Sequence, residues 1–346
     1  MLRRRSSCRS VESITVLLWG NSALRNCVYQ PPSTEHIFVY DAAKTGCRDA
    51  TDKRKRLGAM KILVTGGTGN VGGAVVKELL KRGAKVRVLA RKQPEEGKLP
   101  AGVEVAIGDL LDPASVEQAM QGIGKLFLLN AVVADELTQA LIAYGIARRV
   151  GLKHVTYLSV FRVDQFRDVP HFASKLAVEN ALREFGVPYT ILRPGYYIQN
   201  DATLKAALTG PGIYPMPIGT AGICAVDTRD LAEAAAISLT QDGHDGQTYD
   251  LVGPTLISGP GNAATWSRLL GREIKYAGHN FDQWEQEMRG RAPGWTAFDL
   301  RAMLQGYFDR GFASTETEVA RVTALLGHPP RSYEKFASET ATLWKA

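Results

Sequence analysis

The stretch KILVTGGTGNVGGAVVKELLKRG, residues 61–83, constrains this chain more than any other. Lys61 to Thr65 has the β-branched, apolar character of a strand buried on both faces, and it stops at Gly66-Gly67, where backbone freedom replaces side chains. From Asn70 to Arg82 the period becomes helical. Val71, Val75, Leu79 and Leu80 recur as one apolar stripe, and Gly83 stands where a left-handed residue ends such a helix. Between the two lies Gly66-x-x-Gly69-x-x-Gly72. A diphosphate needs its oxygens close to backbone N–H groups and to the positive end of a helix, and a Cβ at the turn would hold it off. A tight turn that binds nothing would look similar. The strand before and the amphipathic helix after favour the anion site, with Gly66, Thr68, Gly69, Asn70, Val71 and Gly72 as its cradle.

Lys85 to Ala90 alternates as a second strand, about twenty residues beyond the glycines, where a dinucleotide ribose is read. An NAD site places an acid there, but this strand ends in Arg91-Lys92, with no acid before Glu95. Two cations suit a 2′-phosphate, so NADP is expected over NAD, the alternative being a solvated basic loop. Val103 to Ile107 is a third strand ending in Gly108-Asp109-Leu110, where Asp109 and Leu110 could meet the adenine or merely make a turn, and Asp112-Pro113 opens a helix through Met120. A fourth strand, Lys125 to Leu129, leads to Asn130, and a fifth, Lys153 to Val160, ends near Ser159. A long helix over residues 135–150 separates them. Strands alternating with helices specify a parallel sheet covered on both sides, with ligands at the strand carboxyl ends.

The helix from His171 to Phe185 is closed by Gly186-Val187-Pro188, and Tyr189 to Leu192 continues as a sixth strand. His171 and Lys175 share a face of that helix, as do Lys175 and Glu179, so a surface ion pair between the latter two is the plain reading of the lysine. Beyond Asn200 the pattern loosens into a lobe, with helices expected over residues 227–239 and 332–344. The expected division is a core within residues 60–200 and mixed core and lobe over residues 201–346. No Cys/His cluster has metal-ligand spacing, so no metal is expected.

Of the 346 residues, 45% are hydrophobic and 22% charged, enough for one large core. Residues 1–59 hold eleven Lys and Arg against five Asp and Glu, which accounts for +6 of the net +7. The body is therefore nearly neutral, which argues against a nucleic-acid or membrane surface on it. Three of the four cysteines also fall in that segment, leaving Cys224 alone in the body, and a reducing, cytoplasmic location is expected. Residues 1–59 read as a disordered extension outside the fold, one that the native host need not make. Their apolar run from Ile14 to Trp19 is too short for a membrane span or signal core, and the Arg3-Arg4-Arg5 opening only faintly resembles a transit peptide.

The motifs TGGTGNVGG, ARK, GDL, HFASKLAVENAL, ILRPGYYIQN, VDTRDLAEAA and HPPRSYEKFASETA are together specific. From Met60 to the C-terminus the chain resembles the NmrA-like branch of the atypical short-chain dehydrogenase/reductases. The resemblance implies a Rossmann-type doubly wound parallel sheet, a nicotinamide cofactor, usually NADPH, and a small C-terminal substrate lobe over the nicotinamide. Short-chain dehydrogenases generally carry Tyr four residues before the Lys that binds the ribose, and here His171 takes that place. Accordingly the resemblance implies either a reductase of quinones and other conjugated acceptors or a cofactor-binding sensor that does no chemistry. In the first case Lys175 holds the ribose, His171 donates a proton, and Ser159 or Tyr196 hydrogen-bonds the acceptor oxygen. The partner is a small-molecule substrate, and a homodimer is compatible with the sequence.

Charge, cysteines and missing periodicity all separate residues 1–59 from the body. Deleting them should leave folding and dinucleotide binding intact, and a melting temperature lower by many degrees would refute that separation.

Overall fold

The computed structural model describes residues 60–345, so the expectations for residues 1–59 lie outside the described residues. The strands, in chain order, are β1 (Lys61–Thr65), β2 (Lys85–Ala90), β3 (Glu104–Ile107), β4 (Ile123–Leu128), β5 (His154–Leu158), β6 (Tyr189–Pro194), β7 (Tyr196–Tyr197), β8 (Ile213–Tyr214), β9 (Ala225–Val226), β10 (Gln247–Leu251) and β11 (Lys275–Tyr276). The helices are α1 (Asn70–Lys81), α2 (Pro113–Ala119), α3 (Glu136–Arg149), α4 (Pro170–Glu184), α5 (Lys205–Thr209), α6 (Thr228–Thr240), α7 (Gly259–Leu270), α8 (Phe281–Arg289), α9 (Gly294–Arg310), α10 (Glu316–Leu326) and α11 (Tyr333–Lys345).

Seven strands form one parallel sheet in the order β10-β6-β5-β4-β1-β2-β3. The chain runs outward from β1 on one side, then returns to β4 and runs outward on the other, which is the doubly wound arrangement. Successive residues of β1 enter opposite cores: Ile62 and Val64 pack with Val75, Val76 and Leu79 of α1 and Leu231 of α6, whereas Leu63 packs with Val116 of α2, Ala140 of α3 and Val178 of α4. Burying each such Val, Leu or Ile side chain contributes roughly 1.5–3 kcal/mol, so a polar residue at either face would be costly. Among the described residues no helix is long and apolar enough to cross a membrane.

The expected strands and helices of residues 61–194 are present with ends shifted by a residue or two, and Gly83 has the left-handed φ of 77°. The seventh strand, β10, is a correction to the six expected. Its sequence QTYDL carries little apolar signal because it is an edge strand, paired only with β6. Downstream residues are therefore shared: α6 and β10 return to the sheet, while α5, β8, β11 and helices α7 to α9 lie outside it.

What fastens the outer part is a buried carboxylate. Asp201 is 0% exposed and accepts hydrogen bonds from Tyr333, Tyr214 (2.9 Å) and Asn262 (3.3 Å), with the Tyr196 hydroxyl at 3.5 Å. One side chain thus joins β7, β8, α7 and α11. Burial pushes its carboxyl up to about 6, with the Tyr333 and Tyr214 hydroxyls opposing. An unfolded Asp titrates near 3.9, so the folded state holds the proton more tightly. This contribution to stability is complete below about pH 4 and is lost as pH rises through about 6. The melting temperature of the parent relative to Asp201→Asn should therefore fall between about pH 4 and pH 7. A difference that does not change with pH would refute the assignment.

Candidate functional site

The site grows from the carboxyl ends of β1 and β4, where the strand order reverses and a crevice must open. Thr65 clasps the two ends, its Oγ1 donating to the Leu129 carbonyl (2.7 Å) and accepting from the Leu129 N–H (2.8 Å). Gly66 turns the chain at φ 66°, and a Cβ there would meet Leu129 Cδ2 at 2.5 Å. A Cβ on Gly72 would lie 2.2 Å from the Gly66 carbonyl oxygen, so this glycine lets α1 approach β1. Gly69 differs. It is exposed, and its Cβ would meet only the Gly66 oxygen at 3.4 Å, so the fold itself leaves room for a side chain. Gly73 N–H is the first in α1 to reach back along the helix, to Gly69 (2.8 Å), which leaves the amides of Asn70, Val71 and Gly72 as the first-turn donors. Thr68 is half-buried beside them.

Arg91 and Lys92 follow β2, both exposed and without an ion pair among the described residues. Asp109 follows β3 and accepts from the Leu111 N–H (2.9 Å), the turn that its alternative reading expected, and Leu110 beside it is half-buried. Asn130 follows β4. It is 6% exposed, and its Oδ1 and Nδ2 are both buried without a hydrogen-bond partner. An unsatisfied buried polar atom costs about 1–3 kcal/mol, so an amide with two of them at a crevice fits a group that arrives from outside. The glycine turn, the first-turn amides, the paired cations and this amide together fit a dinucleotide phosphate, a 2′-phosphate and a polar cofactor edge.

On α4 the structure rearranges the expected pairs. Lys175 is buried and bonds Glu136 Oε1 at the start of α3 (2.6 Å), not Glu179; Glu136 Oε2 is buried without a partner. Glu179, 0% exposed, accepts from Arg193 Nε and Nη2 (2.8 and 2.6 Å), Arg183 (2.7 Å) and Ser159 (2.5 Å). Burial alone would raise its carboxyl, but the hydrogen bonds from Arg193 and Ser159 and the Arg193 charge outweigh it and hold Glu179 below the usual range. The surface ion pair is thus corrected, because a bidentate arginine matches a buried carboxylate better than a lysine does. Ser159 spends its proton on Glu179, which leaves it no donor for an acceptor oxygen. The Tyr196 hydroxyl faces Asp201 in the buried cluster, and burial pushes it well above the ordinary phenol value.

His171 is 8% exposed, and its partner comes from α9: Asp299 Oδ1 accepts the His171 backbone N–H (2.9 Å), and Oδ2 meets Nδ1 (2.5 Å). The lysine ammonium also lies 6.0 Å from the ring centre of Tyr157, whose buried hydroxyl has no partner and is pushed far up by burial and then by the charges of Glu136 and Glu179. The sequence reading singled out neither Glu136 nor Asp299. Glu136 looks like an ordinary first-turn acid and Asp299 falls where the pattern had loosened, so no local signal marks them. Residue spacing also hid a further cluster, in which Asp230, Glu233 and His328 bring ligand-type atoms within 4.8 Å of one another. Arg331 donates to Asp230 through its backbone (2.7 Å) and side chain, so the cluster is an ion-pair network.

The profile of the NmrA-like family matches residues 59–320. The NAD(P)H azoreductase of Xenophilus azovorans is 30% identical over 289 residues, covering 82% of this chain and 99% of the relative. The crystal structure of Citrobacter sp. triphenylmethane reductase complexed with NADP(H) superposes with a TM-score of 0.71 at 26% identity, covering 81% of this chain and 99% of that one. The NADPH-dependent quinone oxidoreductase of Escherichia coli, complexed with NADPH, shares the fold with a TM-score of 0.72 at 24% identity, over 80% and 99% of the two chains. The chain belongs to the NmrA-like family.

Proposed function

We propose that this protein is an NADPH-dependent oxidoreductase that reduces a small conjugated acceptor such as a quinone. The observation that carries the reading is Asn130, buried with two unpartnered polar atoms one residue beyond the Leu129 end of the β1–β4 clasp. The family supports it, since relatives matched across nearly their whole length include an NAD(P)H azoreductase and a triphenylmethane reductase complexed with NADP(H).

The chain's own residues divide the work. Gly66, Thr68, Gly69, Asn70, Val71 and Gly72 hold a diphosphate on backbone amides and the positive end of α1. Arg91 and Lys92 take the 2′-phosphate, Asp109 and Leu110 border the adenine, and Asn130 bonds the cofactor's inner half. Lys175 has three donors, of which Glu136 uses one, so the others remain for ribose hydroxyls. Glu136 also holds the ammonium in place, because the pair is buried and breaking it would cost about 3–5 kcal/mol. The bound nicotinamide supplies a hydride. An acceptor whose reduced form is a delocalised oxyanion can take its proton from water, which relaxes the need for a tyrosine four residues before Lys175.

A second reading, a dinucleotide sensor without chemistry, is favoured by one set of contacts. Ser159 is committed to Glu179, Tyr196 to Asp201 and His171 Nδ1 to Asp299, so each of the three expected donors already faces a carboxylate. NADPH oxidation against a panel of quinones, azo dyes and enones separates the readings: NADPH binding without turnover of any acceptor would favour the sensor.

Gly69→Val should fold, because its Cβ has room, yet lose NADPH affinity because the branch takes the space of the diphosphate. Unchanged affinity by fluorescence titration in a folded variant would remove the cradle. NADPH should bind more tightly than NADH, and Arg91→Asp should narrow or reverse the preference, since a charge-assisted phosphate contact is worth roughly 1.5–3 kcal/mol, or ten- to a hundredfold. Equal affinities in the parent would sink that assignment.

A further inference from the structure

His171 and Asp299 are 128 residues apart, yet they make a two-point contact. One carboxylate oxygen is fixed by the His171 backbone N–H, so the other is oriented at Nδ1 and is not free to swing away. Both residues are buried, at 8% and 1% exposure, which keeps water from competing for the contact. An ionised carboxylate only accepts hydrogen bonds, so Nδ1 must carry the proton. The neutral ring then has its lone pair on Nε2, and the tautomer is decided by the partner of the other nitrogen. Nε2 lies on the far side of the ring from Asp299 and has no hydrogen-bond partner among the described residues. Four residues further along α4, on the same helical face, is Lys175.

We propose that Asp299 is a positioning residue that holds His171 in the Nδ1–H tautomer, so that Nε2 presents a hydrogen-bond acceptor to an O–H or N–H group of the reduced acceptor bound beside Lys175. The proposal rests on the reductase reading for the identity of that ligand, and on the contact alone for the tautomer. It also explains why the residue before Lys175 on this face can be a histidine: a tyrosine hydroxyl reaches its partner unaided, whereas an imidazole needs one nitrogen committed before the other has a defined role. Because Asp299 arrives on α9, the lobe itself supplies half of the dyad.

The tautomer is measured directly. Protein labelled with ¹⁵N in its histidine rings is examined by long-range ¹H–¹⁵N correlation at alkaline pH, with the His171 signal assigned by its loss in His171→Ala. The expected result is Nδ1–H in the parent; an Nε2–H ring or a mixture overturns the proposal without any activity being required. Asp299→Asn keeps an acceptor for the backbone N–H but turns an amide donor toward Nδ1, so the ring should switch to Nε2–H. With NADPH affinity unchanged, affinity for the reduced acceptor, read as its product-inhibition constant, should weaken by about tenfold or more, because an Nε2–H no longer accepts from its O–H or N–H. That loss should disappear when Asp299→Asn is placed in a His171→Ala background. An equal loss in that background would show that Asp299 acts through something other than His171 and would overturn the proposal. If the parent turns over no acceptor, the reductase reading fails while the spectrum still decides the dyad.

Discussion

Everything in this protein hangs on how closely α1 approaches the end of β1. The Gly66 carbonyl stands where a Cβ on residue 72 would be, 2.2 Å away, so only a glycine lets the helix start directly over the strand. That contact aims the first-turn amides along the sheet edge and puts the β1–β4 crevice beside them. The Thr65 clasp then fixes the separation of the two strand ends with two hydrogen bonds to one residue. Backbone geometry, with one threonine hydroxyl, therefore builds this half of the candidate site.

The other half is built from buried charge. Two carboxylates, Glu136 and Glu179, are buried and paired with cations of different kinds. Arginine takes Glu179 because its planar fork satisfies both oxygens, and Ser159 and Arg183 complete the shell. Lysine takes Glu136 through one oxygen only, leaving the other carboxylate oxygen unsatisfied. The asymmetry is informative: the fully satisfied pair acts as scaffold, and the half-satisfied one retains hydrogen-bonding capacity.

The sequence made the first half legible and not the second. The glycine turn, the strand before it and the stripe of α1 are contiguous, so their physics is contained in 23 residues, 61–83. The places of Arg91, Asp109, Asn130 and Ser159 at strand ends also follow from period alone, because the sheet turned out parallel and fully covered. Partner choice does not follow from period. Glu136 and Lys175 are 39 residues apart, Tyr333 and Asp201 are 132 apart, and no helical spacing relates either pair. Helical spacing in fact suggested Lys175 with Glu179, which the two arginines pre-empt. β10 was missed because a strand with one open edge needs few apolar residues.

Cys224, the cysteine among the described residues, packs against Gly195 so tightly that a Cβ there would come within 2.3 Å of its sulfur. It is 0% exposed, and burial pushes its thiol well above the usual value. Electrophiles are attacked by thiolates, not by thiols. Michael acceptors such as quinones and enones modify exposed cysteine thiolates. At this position the protein offers them no nucleophile, so the packing around Gly195 also renders Cys224 inert to covalent capture by such compounds.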